Sequence, residues 1–483
     1  MDTTSMESVK IASPLEENDM EQIFRQHQTY ARHLRKSTAE QRIRKLKLLK
    51  AQLKKAQAEI YQACHADFGK PEAEVDLTEL FPVYTEINDA VKHLKRWMKQ
   101  KRVSTPLSLL GTSSFIQYEP KGTSLLISPW NYPINLTFCP LISALAAGCT
   151  VIVKPSEMTP NISRIINKII KETFLVDEVT VIEGGVEVST ALLNLPFDHI
   201  FFTGAPQIGK IVMAAAAKNL TSVTLELGGK SPVIVDQTAD IAKAASSIMW
   251  GKFTNAGQTC IAPDYLYIHE NVKEKFIQAC QKVLIKFYGK DEHAKKNSAD
   301  LCRIVNNNHF GRLTSLLDDA IKQGANVIVG GDAEKESRYI APTLLENPSA
   351  ESRIMQEEIF GPLLPILTYN DIDKVIDAIN DKPKPLAFYI FSNDHKQTDY
   401  ILQNTTAGGT TVNGTVLHFS NAHLPFGGVN NSGLGSSHGL FGFKAFSHER
   451  AVLKNNFSRI HMMFPPYSGA TKRTIKMAIK IFG

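Results

Sequence analysis

Between Gly122 and Val153 the chain carries no charged residue. A charge-free stretch of this length belongs either in a membrane or in the middle of a protein. Pro129, Pro133 and Pro140, with Asn131 and Asn135, interrupt it. Proline removes a backbone donor, and irregular backbone leaves polar groups that lipid cannot satisfy, so the interruptions argue against a span. A buried strand at 124–128, a loop, a small-residue helix at 135–147 and a second strand at 150–153 explain the stretch better. Strands buried on both faces belong to a parallel sheet covered by helices.

The rest of the chain continues that alternation. Apolar runs at 179–182, 199–202 and 223–227 read as further strands, with helices at 163–174 and 209–218. A second run starts near Ser231, with strands at 232–235 and 265–269 and helices at 241–253 and 272–287. More elements follow at 326–329, 364–368, 372–379, 386–391, 395–403 and 409–412. Residues 20–68, where Leu46, Leu49 and Leu53 recur at helical spacing, open the chain as helix, and 79–97 is helical again. Residues 103–118 turn polar and alternate, which reads as an excursion strand. The Gly/Pro/Asn-rich stretch 425–435 reads as a loop. The expected fold class is α/β, with two open sheets whose ligands sit at the carboxyl ends of the strands.

Composition narrows the function. Of 483 residues, 43% are apolar and 21% charged, an ordinary globular balance. At roughly 150 residues per domain that length suggests about three units and a core that needs no disulfide or structural metal. The net charge of +6 is too mild for a nucleic-acid footprint, so no nucleic-acid partner is expected. None of the six cysteines forms a C-x-x-C pair, so they read as reduced thiols of a cytoplasmic protein, one of them a candidate for reactivity. The first twenty residues hold Asp2, Glu7, Glu16 and Glu17 and no apolar core, so no secretory signal is expected. No H-E-x-x-H or zinc-finger spacing exists, so no metal is expected.

Six motifs carry chemistry. Thr203-Gly204-Ala205-Pro206-Gln207-Ile208-Gly209-Lys210 follows a strand and opens a helix, where exposed N–H groups favour a phosphate. Its spacing approaches that of a P-loop nucleotide hydrolase, but Ile211 stands where Ser or Thr would hold magnesium. Cys260 lies in the Gly/Thr-rich loop Gly257–Ala262 and is either an accessible nucleophile, if its surroundings lower its pKa, or a small buried residue. Glu226 ends an apolar strand before Gly228-Gly229, where partial desolvation would raise a carboxylate toward neutrality and suit it as a base. Asn131, between Pro129 and Pro133, either caps a turn or offers an amide N–H to an oxyanion. Lys154 and Glu157 follow the strand at 150–153; a carboxylate there suits ribose hydroxyls and repels the extra phosphate of NADP. Glu357-Glu358-Ile359-Phe360-Gly361 is either an acidic turn or a further site element.

In this order, these stretches resemble the NAD(P)-dependent aldehyde dehydrogenase superfamily. Trp130-Asn131-Tyr132-Pro133, Asn255–Tyr265 and Leu424-Pro425-Phe426-Gly427-Gly428-Val429 look most like its class 3 and fatty-aldehyde branch, and the resemblance runs from about residue 40 to 465. It implies a Rossmann-like cofactor domain (1–102 and 120–228), a catalytic domain (229–431), a small β oligomerisation flap (103–119 and 445–460) that forms a homodimer, and a tail (461–483). It implies that Cys260 attacks an aldehyde, with a medium- to long-chain aliphatic or an aromatic one as the expected substrate. Asn131 and the Cys260 N–H would hold the oxyanion, hydride would pass to NAD or NADP, and Glu226 would activate the water that releases the acid. Lys154 and Glu157 would bind the adenosine ribose, Gly204 to Gly209 the pyrophosphate, Glu358 and Phe360 the nicotinamide end, and Tyr132 and His418 the substrate. A CoA-acylating relative, in which CoA cleaves the thioester, is the alternative within the same chemistry.

Two features depart from the pattern. Ala205 and Pro206 stand where related sequences carry a hydroxyl or amide, and Pro206 has no N–H, so looser cofactor binding is expected. In the tail, Lys472, Arg473, Lys476 and Lys480 fall on one side of a helix, with Ile475, Met477, Ala478, Ile479, Ile481 and Phe482 on the other. So short a helix needs a surface, either the enzyme or an anionic membrane touched peripherally.

Overall fold

A computed structural model of the chain describes residues 17–482. Residues 1–16 and Gly483, which the expected domain 1–102, the reading of the first twenty residues and the tail 461–483 include, lie outside the described residues. The architecture is α/β. A six-stranded sheet has the order Gly433–Leu434, Ser222–Leu227, His199–Gly204, Thr123–Ile127, Thr150–Lys154, Val179–Val181. All pairs are parallel except the Gly433–Leu434 edge. From Thr123–Ile127 the chain winds outward through two strands and then returns to the other side with His199–Gly204. The connections therefore diverge between these two strands, and a crevice opens at their carboxyl ends.

The charge-free stretch forms the centre of this sheet and the helix Asn135–Ala147 on its face. Every residue from Gly122 to Val153 is buried apart from Gly122, Pro129, Trp130 and Leu136, which are half-buried. Pro140 is accommodated inside the helix. Leu46, Leu49 and Leu53 are fully buried against the same core. Residues 20–68, read as one helical opening, divide into Glu17–Leu34, Ala39–Lys55 and Gln57–Phe68. The first break follows a capping box: Gln41 N donates to Thr38 Oγ1 and Thr38 N donates to Gln41 Oε1.

A seven-stranded sheet follows, in the order Asn326–Val329, Thr343–Glu346, Leu363–Tyr369, Tyr265–His269, Pro232–Val235, Ala387–Phe391, Gly409–Val412. Only the Asn326–Val329 edge is antiparallel. The sequence reading passed over Thr343–Glu346 and the helix Asn307–Lys322. That helix begins in polar Asn306-Asn307-Asn308-His309, yet Asn306 caps it and Phe310, Leu313, Leu316 and Leu317 bury one face. A third, antiparallel sheet joins Lys101–Val103, Thr112–Pro120 and Ser447–Asn455.

The stretch 425–435 is not wholly loop: Gly433-Leu434 pairs with Glu226-Leu225 and covers the edge of the first sheet. Only glycine fits there. Gly433 has φ of 149°, and a Cβ would lie 2.3 Å from Leu225 O. We expect Gly433→Ala to push this edge off the sheet and cost roughly 1–3 kcal/mol, read as a lowered denaturant midpoint at unchanged slope. A midpoint equal to that of the parent chain would contradict the packing described.

Candidate active site

The crevice of the first sheet faces the loop that precedes Tyr265–His269 in the second. Pro129, Trp130 and Asn131 follow one strand of the crevice, Gly204 and Ala205 the next, and Gly228 the third. Cys260 enters from the opposite side. All line a cleft of about 240 Å³. On the other side of Cys260 lies an apolar cavity of about 190 Å³, walled by Phe81, Tyr132, Trp250, Leu417, Phe419 and Phe426 among others. Leu136, Thr203, Glu226, Leu227 and Cys260 line both spaces, so the sulfur stands where they meet.

Of the six cysteines, Cys260 alone is not fully buried. Its surroundings do not lower its pKa. Burial first, then the Glu358 and Glu226 carboxylates, push it up to about 12. At rest the group is a thiol, which would have to lose its proton to act as a nucleophile. The loop before it is irregular because Asn255 and Ala256 have φ of 55° and 51°. Asn255 Nδ2 donates to Asn131 O (2.8 Å) and Gln258 O (3.1 Å), and Asn131 Nδ2 donates to Gln258 O (3.0 Å). The Asn131 amide thus spends one N–H on holding the loop. An amide has two, which leaves the other available to a ligand.

Glu226 lies between Thr203 on one neighbouring strand and Gly433 on the other. Neither of its carboxylate oxygens has a hydrogen-bond partner among the described residues. Burial pushes its pKa up to about 8; the Ser437 hydroxyl opposes this, but it donates to Phe426 O. A carboxyl group that dry, and titrating near neutrality, is suited to move protons.

The cleft itself fits a nucleotide cofactor at its inner end. Glu358 Oε1 and Thr203 Oγ1 are buried without partners among the described residues, as is Nδ1 of His309, and all three residues line the cleft. Such atoms suit the hydroxyls and amide of a ribosyl-nicotinamide. Glu358 is seated on a glycine: a Cβ on Gly228 would lie 2.2 Å from its Oε2. Burial, then Asp264, push its pKa up to about 8. Arg312 holds its segment by donating to Glu358 O (3.2 Å) and Ile359 O (2.6 Å). Phe360 meets Trp130 edge to face, with centroids 5.4 Å apart.

The glycine-rich loop contributes less than its length suggested. Gly204 and Ala205 line the cleft. Gln207 and Ile208 are exposed, Pro206 is half-buried, and Gly209 is buried against Leu227. Pro206 opens the helix Pro206–Ala217, where its missing N–H is no loss, while Ile208 N and Gly209 N both donate back to Ala205 O. Gln207 is left with the free donor of that turn. Ile211, on the same helix, is exposed and has no hydroxyl for magnesium, which disposes of the P-loop reading. Lys154 and Glu157 lie at the end of the adjacent strand and pair with each other at 2.7 Å.

Tyr132 lines the apolar cavity and shares a 2.6 Å hydrogen bond with Thr259. His418, expected at the substrate, is not among the residues that line it. Leu417, Phe419 and Ser420 of the turn Leu417–Ser420 line the cavity, whereas His418 bonds Thr411 Oγ1 (3.0 Å) and stacks on Phe426. Trp250, Phe419, His309 and Arg312 were missed. Trp250 and Arg312 sit on helices whose inward faces only the packed structure identifies. Among the described residues no cluster of His, Cys, Asp or Glu is disposed to hold a metal.

Comparison with known proteins agrees with this geometry. The sequence matches the aldehyde dehydrogenase family over residues 4–452. It is 48% identical over 428 residues to 4,4'-diaponeurosporen-aldehyde dehydrogenase of Staphylococcus aureus, covering 88% of this chain and 92% of that protein. It is 41% identical over 430 residues to aldehyde dehydrogenase family 3 member A2 of Macaca fascicularis, covering 88% and 87%. The solved structure of the substrate-bound state of Staphylococcus aureus AldH superposes with a TM-score of 0.91 at 46% identity, covering 95% of this chain and 99% of that one. The chain therefore belongs to the aldehyde dehydrogenase family, next to its family 3 members, and is an NAD(P)-dependent oxidoreductase.

Proposed function

We propose that the chain oxidises apolar, medium- to long-chain aliphatic or aromatic aldehydes to carboxylic acids, with Cys260 as nucleophile. The observation that carries this is the position of Cys260 at the junction of an apolar cavity and a polar cleft. An apolar chain lies along Phe419, Trp250 and Phe426, which brings its carbonyl carbon to the sulfur. Cys260 releases its thiol proton to solvent and adds to that carbon, giving a thiohemiacetal anion whose oxygen is held by the free N–H of Asn131 and the Cys260 N–H. When bound, NAD or NADP supplies a hydride acceptor for the same carbon, so that a thioester is left. Glu226 takes a proton from the water that cleaves the thioester, and the thiol is restored. The sum is aldehyde, water and oxidised cofactor to acid, reduced cofactor and a proton.

Glu358 and Phe360 orient the nicotinamide end, and Glu157 and Lys154 receive the adenosine ribose. Because Lys154 is already paired with Glu157, its charge is not free for a second phosphate, which favours NAD over NADP. We assign residues 17–102 and 120–228 to the cofactor domain and 229–431 to the catalytic domain. The third sheet offers Ser447–Asn455, open along one side, to a second copy.

The tail reading concerns the helix Gly469–Phe482. Thr471, Thr474, Ile475 and Ala478 are half-buried, whereas Met477, Ile479, Ile481 and Phe482 are exposed beside the basic residues. The exposed apolar and basic groups support a peripheral contact with an anionic membrane. No helix among the described residues is long and apolar enough to cross one.

Three measurements test these readings. An NADH- and NADPH-formation screen from acetaldehyde to hexadecanal and benzaldehyde is expected to favour long or aromatic aldehydes and NAD. Cys260→Ala should lower kcat beyond about 10³-fold; an inactive panel under reducing conditions, or an active Cys260→Ala variant, would sink the proposal. Product analysis with and without CoA separates hydrolysis from acylation.

For Glu226, the sign of the pH effect follows from its raised pKa. The base form appears as pH rises through about 8, so the steady-state rate should rise there. Glu226→Gln should keep the first-turnover burst of NADH, slow later turnovers by about 10²–10⁴-fold, and flatten that rise. Between its ordinary 4.5 and about 8 the folded state holds a proton that the unfolded chain releases, so the parent loses stability as pH rises through that window. The variant's Tm should gain on the parent's from pH 6 to about 9. A Tm difference independent of pH would count against a dry Glu226.

Deleting 470–483 should abolish binding to anionic vesicles and reduce long-chain activity more than short-chain activity. Unchanged vesicle binding refutes the membrane contact.

A further inference from the structure

Three consecutive residues ahead of the proposed nucleophile, Asn255, Ala256 and Gly257, have left-handed backbone, with φ of 55°, 51° and 73°. Only the third is glycine. Such backbone is unfavourable for a residue with a Cβ and persists only where its surroundings hold it. Part of the hold is the pair of bonds from Asn255 Nδ2 described above. Gln258 adds to it: its Nε2 donates to Asn255 O (3.0 Å) and Arg303 O (3.1 Å), and its Oε1 accepts from Val305 N (3.0 Å). The backbone N–H of Asn255 is held from a different part of the chain. It donates to Glu74 Oε1 at 2.9 Å, which also accepts from Cys302 Sγ at 3.3 Å.

Glu74 lies in the short helix Glu72–Val75, far from the motifs that carry chemistry, and lines neither cavity. Glu74 is half-buried and lies close in sequence to a buried ion pair. Lys70 Nζ donates to Glu79 Oε1 at 2.8 Å, with both side chains fully buried. The other Glu79 oxygen accepts from Asn135 N at 2.9 Å, the start of the helix that follows Asn131-Tyr132. Lys70 Nζ also lies 4.1 Å from the centre of the Tyr132 ring, whose hydroxyl bonds Thr259. Burial works against the Lys70 ammonium, but Glu79 and then Glu74 more than offset it and hold its pKa above the usual value. Apart from Lys70 and the Cys302 thiol, the two carboxylates accept from backbone N–H groups on either side of the site: Asn255, five residues before Cys260, and Asn135, four after Asn131.

We propose that Glu74 is a positioning residue: it anchors the left-handed Asn255–Gly257 segment and so sets the Cys260 thiol against the Asn131 amide. The inference rests on the reading of Cys260 as nucleophile. A role in balancing the Lys70 charge would need only the charge, whereas an anchor needs reach. Glu74→Asp keeps the charge and shortens the arm by one methylene. Glu74→Gln keeps the arm and its acceptor oxygen and loses the charge. Both retain the Lys70–Glu79 pair.

For Glu74→Asp we expect kcat to fall about 10-fold or more with KM for the aldehyde within about 3-fold, since misplacement of reacting groups acts on the chemical step. The rate at which iodoacetamide alkylates Cys260, followed by mass spectrometry without cofactor or aldehyde, should shift by about 5-fold or more in the same variant. For Glu74→Gln all three should stay within about 3-fold of the parent. The reverse pattern, or equal behaviour of the two variants, overturns the proposal. Alkylation needs no turnover. A parent chain labelled at Cys260 but inactive on every aldehyde would defeat the catalytic reading and still leave the anchor measurable.

Discussion

The hydrogen bond from Asn131 Nδ2 to Gln258 O joins the end of a strand in one sheet to the loop before a strand in the other. Together with the bonds of Asn255 Nδ2 to Asn131 O and Gln258 O, it ties the two segments that meet at Cys260. It brings an amide with a spare N–H to the loop that carries the thiol. It is fully buried, so water does not compete for it, and breaking it would leave a carbonyl and an amide short of partners in a dry environment.

Dryness is the second organising factor. The same burial that lifts the Cys260 thiol keeps Glu226 and Glu358 near neutrality. None of the three groups is at rest in its charged form at mildly acidic pH. The site is therefore poised to create charge during the reaction and has little to neutralise beforehand. Unpartnered oxygens on Glu226 and Glu358 and a free nitrogen on His309 would be liabilities in a core. Here all three residues line the cleft, where a bound ligand would meet them.

How much of this was readable beforehand depended on how local each signal is. Cys260, Glu226 and Asn131 stand in short motifs at strand ends, and the structure brings all three to one cleft or its rim. The charge-free stretch announced the central strands because burial on both faces leaves no room for charge. His418 was expected at the substrate, but its ring bonds Thr411 and stacks on Phe426, contacts that no spacing rule anticipates. Trp250, Phe419 and Arg312 depend on which face of a helix or turn looks inward. Glu74 was the least legible: a glutamate in a polar helical stretch becomes significant only through contact with a backbone N–H far along the chain.

The two spaces on either side of the sulfur differ in character, one hydrocarbon-lined and one rimmed by amides and acids. They share a wall without sharing an entrance lining: Phe81 and Leu417 border one, Ala205 and Arg312 the other. Two molecules of opposite polarity could therefore lie side by side, each in its own space, with the same sulfur within reach of both.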